Sequence, residues 1–158
     1  MTLTRSLAGL TLAAGILALA PLATATAAQA TAAKPWGPYY AAGSKAKASG
    51  SLTAAAKADR SAPAPYVKVG GSVTSLNRKA STCGWALFRV SYFDAANQPH
   101  LVYRNYRACS YKAKMQFAFT VKNVAEVDFK VCSEAKAAKP SVDCQVSGAW
   151  KTIYAYYK

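Results

Sequence analysis

Two kinds of side chain in this sequence have types and spacing suited to chemistry: four cysteines, and a run in which aromatic and arginine residues alternate. The cysteines are Cys83, Cys109, Cys132 and Cys144. Zinc sites usually carry short Cys-x-x-Cys hooks, and none is present. An even count in an exported chain points instead to two disulfides. Facing residues of an antiparallel hairpin have a constant index sum. A turn at Asp94-Ala95-Ala96-Asn97-Gln98-Pro99 sets that sum near 192, and Cys83 with Cys109 satisfies it. Cys132 and Cys144 centre on Ala138, inside a loop that contains Pro140. The expected pairs are Cys83–Cys109 and Cys132–Cys144.

The same register places Trp85 opposite Arg107 and Arg89 opposite Tyr103, on one side of the hairpin. These four are the candidate binding residues. Aromatics interleaved with guanidinium groups could stack a base or sugar ring and pair with a phosphate. The opposite side carries Ala86, Phe88, Val90 and Tyr92 against Val102, Arg104, Tyr106 and Ala108, and reads as core.

Acid/base chemistry is poorly supplied. There is one histidine, His100, with six carboxylates. His100 lies at the hairpin tip near Asp94 and Ser91, but no Gly-x-Ser-x-Gly elbow accompanies them. Glu126 and Asp128 point the same way from one strand, and Lys130 continues their row as a solvated face. No phosphate-binding Gly-rich loop is present. No catalytic residue, metal site or cofactor is expected.

The elements that must position these residues follow from the pattern. Residues 1–30 read as a secretory signal peptide: Arg5, an uncharged run from Leu7 to Ala20, then Pro21 and small residues. Ala28-Gln29-Ala30 places the cut at Ala30–Thr31, with Ala23-Thr24-Ala25 as the other candidate. No later segment is apolar enough to span a bilayer, so the product is expected to be secreted. Removing Arg5 leaves 19 basic and 6 acidic residues, a net charge of +13. Such an excess favours anionic partners: cell-wall polymer, nucleic acid or acidic polysaccharide.

Residues 31–65 hold 12 alanines and one large aliphatic, Leu52. They read as a flexible basic arm, with Trp36-Gly37-Pro38-Tyr39-Tyr40 as a docking motif or a tucked aromatic cluster. Residues 66–158 form the expected domain. Period-two patterns give strands over Tyr66–Leu76 (bent or bulged at Gly70-Gly71), Cys83–Phe93 and His100–Cys109. A further strand ends at Val121, another covers Ala125–Val131, and Val142–Tyr157 holds one or two more. This indicates an all-β fold, an antiparallel immunoglobulin-like β-sandwich, with a small β-barrel as the alternative.

Leader, Ala-rich basic arm and four-Cys β domain together resemble the small exported proteins of high-GC actinobacteria. The resemblance covers the layout of the whole chain and carries no functional motif. The cysteine spacings of 26 and 12 set the chain apart from the subtilisin-inhibitor-like proteins, small amylase inhibitors and enediyne-carrying apoproteins of similar layout, so no site residues carry over. The expected function is a secreted, non-catalytic binding module for an anionic envelope polymer. One alternative is an inhibitor or toxin presenting the loop Ser133–Asp143 to a secreted protein. A third is a nuclease-like hydrolase using His100 with Glu126 or Asp94 and an arginine.

Overall fold

The structure is a computed structural model that describes residues 31–157. The expected signal peptide and its cut at Ala30–Thr31 fall mainly on residues 1–30, outside the described residues. Among the described residues no helix is long and apolar enough to cross a membrane.

Seven strands follow in chain order: β1 (Lys34–Tyr40), β2 (Ala46–Ala54), β3 (Ala64–Ser75), β4 (Thr82–Phe93), β5 (Pro99–Cys109), β6 (Lys114–Ala135) and β7 (Lys151–Ala155). One short helix, α1 (Val142–Val146), lies between β6 and β7. The strands run in the order β1-β2-β3-β6-β4-β5, with β7 added to β6, and every pairing is antiparallel. The sheet is all-β in character and does not close on itself.

The hairpin of β4 and β5 keeps the index sum of 192 from Cys83↔Cys109 to Phe93↔Pro99. Both disulfides form as expected, Cys83–Cys109 and Cys132–Cys144. The turn is built by Asp94, whose carboxylate accepts from the backbone N–H groups of Ala96 and Gln98 at 2.9 and 2.8 Å. Asn97 takes the left-handed φ that this loop requires, +58°.

Three expectations need correction. Residues 31–65 are not a free arm: β1 and β2 lie within them, β1 paired with β2 and β2 with β3. The domain therefore begins near residue 34, not 66. The chain repays its ordering entropy through period-two burial of small residues, Ala46, Ala48 and Leu52 inward, and through Trp36, only 6% exposed. Second, β3 is not bulged at Gly70-Gly71: its registers with β2 and β6 run through without a shift. One cross-strand row runs Trp36, Gly50, Gly71, Phe117. The Trp36 indole lies over both glycines and stacks on Phe117, with ring centroids 6.2 Å apart and planes 18° apart. A Cβ on Gly71 would come within 2.9 Å of that indole, and one on Gly50 within 2.7 Å. The glycines exist because an aromatic ring covers them.

Third, the strand expected to end at Val121 runs on to Ala135. Lys122-Asn123 does not turn the chain. Asn123 adopts φ +49° beside a one-residue bulge, where Ser91 faces Glu126 but Tyr92 faces Val124. Up to Val124 the strand pairs with β3; beyond it the strand pairs with β4. The C-terminal region, expected to be strand, begins as α1. Ser141 caps that helix by accepting from the Cys144 N–H at 3.0 Å, and Glu134 accepts the Ser141 N–H at 2.9 Å.

The main core centres on Phe88, ringed by Trp36, Tyr106, Phe117, Phe119 and Phe129 at 4.9–6.2 Å between centroids. A second, smaller cluster lies on the other face of β4: Cys83, Trp85, Leu87 and Cys144, with Cys109, Cys132 and Trp150 against them.

Candidate functional site

The structure keeps the expected side-sharing of Trp85, Arg89, Tyr103 and Arg107 but not their exposure. Trp85 is 1% exposed. The α1 segment and the two disulfides cover it, so it belongs to the second core cluster and cannot stack a ligand. Arg107 lies 5.8 Å over the Trp85 ring and donates to the carbonyl of Ala137. Arg89 donates to Asp128 at 2.8 and 3.1 Å and lies 5.0 Å over the Trp150 ring. Asp128 also accepts from Thr152 at 2.8 Å. Both arginines are committed within the fold. Tyr103, 48% exposed, alone of the four faces solvent freely. The alternation of β4 put these residues on one side; the cover over that side comes from a segment whose position periodicity does not reveal.

At the hairpin tip His100 Nε2 and Asp94 Oδ2 are 2.8 Å apart, and the imidazole stacks on Tyr92 at 5.5 Å. Backbone N–H groups, that of Gln98 above all, and then His100 hold the Asp94 carboxyl below its ordinary value of 3.8. The pair braces the turn. Glu126 is engaged elsewhere, its carboxylate 3.1 Å from the Thr152 hydroxyl that donates to Asp128. Among the described residues no group of three metal-ligating side chains occurs.

A different surface concentrates positive charge. On β2, Lys47, Ser49 and Ser51 alternate with buried Ala46, Ala48 and Leu52, and so point outward. Lys68, Ser72 and Thr74 do the same on β3, as do Lys114, Gln116, Thr120 and Lys122 on β6. The registers align these into rows: Lys47–Thr74–Lys114, Ser49–Ser72–Gln116 and Thr53–Lys68–Thr120. Lys112 joins the first row at a hollow of about 290 Å³ lined also by Ser49, Ser72 and Thr74. All six acidic residues lie elsewhere: Asp59 and Asp94 in loops, Glu126, Asp128 and Glu134 on the later half of β6, and Asp143 in α1. The face is a flat lawn of ammonium and hydroxyl groups without one carboxylate. The signal was present in the sequence as the alternation Ala46-Lys47-Ala48-Ser49, but small inward residues do not read as a strand.

No protein-family model matches this chain, and no curated protein matches it.

Proposed function

We propose that the protein is a secreted, non-catalytic module that binds an anionic polymer through the lysine and hydroxyl face of β2, β3 and the first half of β6. The observation that carries this reading is the absence of any carboxylate from that face, within a chain of strong positive charge. Lysines spread over a flat sheet suit a repeating anion. Their hydroxyl neighbours can donate to phosphate, sulfate or carboxylate oxygens, and counterion release would drive association. Two disulfides fit an oxidising compartment, which supports secretion. The fold serves as a two-layer sandwich: β1, β2, β3 and the first half of β6 form one layer, and β4, β5, β7 and the second half of β6 the other. β1, β2 and β3 are direct neighbours, unlike the interleaved strands of immunoglobulin sheets, so this sandwich has a connectivity of its own.

The test is retention of the purified protein on cell-wall material and on RNA across a salt gradient. Lys47→Gln/Lys68→Gln/Lys114→Gln is compared with an equal charge change in exposed loops, Lys79→Gln/Lys136→Gln/Lys139→Gln. Weaker retention and a shallower salt slope in the first triple alone support the face. Equal loss in both would leave only bulk attraction and end this reading. A second reading would then lead: recognition of a secreted protein by Ser133–Asp143. Its support is the rigid framing of that loop by Cys132–Cys144, by Glu134 on Ser141 and by Arg107 on Ala137.

A further inference from the structure

Charge is not spread evenly over the lysine face. Lys68 and Lys122 stand toward one end, and Lys47, Lys112 and Lys114 gather at the other. The register rows of the two groups meet β2 at Thr53 and Lys47, about 20 Å apart along the strand. At the second group the surface has a hollow of about 290 Å³, its polar lining the three lysines with Ser49, Ser72 and Thr74. Lys47, Thr74 and Lys114 occupy one cross-strand row and so project from the same side. The two lysines flank Thr74, about 10 Å apart at Cα. Lys112 approaches from the turn between β5 and β6. All three lysines are exposed. Among the described residues the ion pairs are Arg89–Asp128 and His100–Asp94, so no carboxylate neutralises this group.

Lys112 is held there against a backbone preference. Its φ is +62°, and that of Ser110 in the same turn is +78°, a left-handed region that non-glycine residues seldom enter. The turn is pinned in this form. The Lys112 N–H donates to the Ser75 carbonyl at 2.8 Å, and the Ala113 N–H to the Ser110 carbonyl at 3.1 Å. The Lys112 ammonium lies 5.4 Å over the Tyr111 ring. Arg78 lies 5.2 Å over the same ring, which brings a fourth cation beside the hollow. Glycine would take this backbone at no steric cost; what lysine adds is its charge. Backbone strain of this kind gathers at binding sites.

We propose that this hollow receives a phosphomonoester group, its terminal oxygens shared among Lys47, Lys112 and Lys114. The inference rests on the lysine face proposed above and names the anion that this end of it selects. Near neutrality a phosphomonoester carries close to two negative charges and three strong acceptor oxygens. That matches three ammonium groups set around the Thr74 hydroxyl, with Ser49 and Ser72 as further donors. A phosphodiester brings a single charge and fewer free oxygens. A carboxylate brings a single charge and two oxygens in one plane, which cannot meet donors arriving from two strands and a turn. The group can be the end of a phosphate polymer laid along the face or a free small phosphate.

The experiment titrates the purified protein, both disulfides formed, with methyl phosphate, dimethyl phosphate and acetate, at about pH 7.5 and low salt. Backbone signals are followed by two-dimensional NMR. Methyl phosphate should give saturable shifts at Ser49, Ser72, Thr74 and Lys112. It should bind about fivefold more tightly than either monoanion, the upper end for an exposed ion pair. Lys112→Gly should remove the preference while changing the melting temperature little, because glycine relieves the left-handed backbone. Lys112→Arg and Lys68→Gln/Lys122→Gln should keep it. Equal affinity for the three anions, no saturable shift with methyl phosphate, or a preference that survives Lys112→Gly would each overturn the proposal. Retention of a short RNA with and without a terminal phosphate separates the two sources: a difference supports a polymer end, and none a free phosphate. Polymer retention through the lysine face with no preference at the hollow would end this inference and leave the wider reading standing. A preference at the hollow without polymer retention would keep the phosphate site and end the polymer reading.

Discussion

Trp36→Ala tests whether the Ala-rich N-terminal segment is part of the domain. In the structure the indole is 94% buried, covers Gly50 and Gly71, and touches Phe88, Phe117 and Phe129 at 5.9, 6.2 and 4.7 Å between centroids. Truncating a buried tryptophan costs about 3–5 kcal/mol. The upper end applies here, since two glycines offer no side chain to collapse into the void. A domain of this size has a total stability of about 5–15 kcal/mol. With a urea slope of about 1.5 kcal/mol/M, the midpoint should fall by about 2–3 M. The assay is equilibrium urea unfolding followed by far-ultraviolet circular dichroism, with Tyr40→Ala, at a side chain 54% exposed, as the control expected to change little. A loss below about 0.5 kcal/mol in Trp36→Ala, the size of an ordinary surface change, would refute the reasoning and return residues 34–54 to a free arm.

Three further outcomes are expected. Gly50→Ala and Gly71→Ala should each destabilise by several kcal/mol in the same assay, because a Cβ would meet backbone at 2.0 and 2.5 Å; Gly70→Ala, with nothing nearer than 3.8 Å, should be tolerated. Asp94 titrates below its ordinary value when folded, so its stabilisation is complete above pH 3.8 and is lost as pH falls through the lower folded value. Asp94→Asn should flatten that part of a melting-temperature profile. Asp128→Ala strands Arg89 against Trp150 and should cost about 1–2 kcal/mol, less than a fully buried pair because the arginine side chain is 37% exposed; a double-mutant cycle with Arg89→Ala isolates the coupling.

What the sequence made legible was local. The β4–β5 register followed from one turn and two cysteines, and a single constant, 192, described eleven facing pairs. The side of that hairpin read as core does pack into the main core. What escaped was non-local. Lys122-Asn123 has turn chemistry, yet Asn123 spends its left-handed φ on a bulge that hands the strand from one neighbour to another. Ala46 and Ala48 bury well only because Trp36 supplies the bulk they lack. Trp85 lost its exposure to a helix capped by Ser141, some 56 residues later in the chain. The lysine face was hidden with β2, since a strand made of Ala, Ser, Gly and Lys matches the composition of a linker.

The length of β6 has a consequence for how the chain comes to be folded. β3 and β4 are not partners of one another; each waits for residues 114–135. During synthesis the meander of β1 to β3 and the hairpin of β4 and β5 can form separately, but neither gains its β6 partner until the last quarter of the chain is available. Closing such distant contacts is slow. The polypeptide should therefore remain loosely organised and threadable until nearly all of it has emerged, and then consolidate around the one strand that meander and hairpin share.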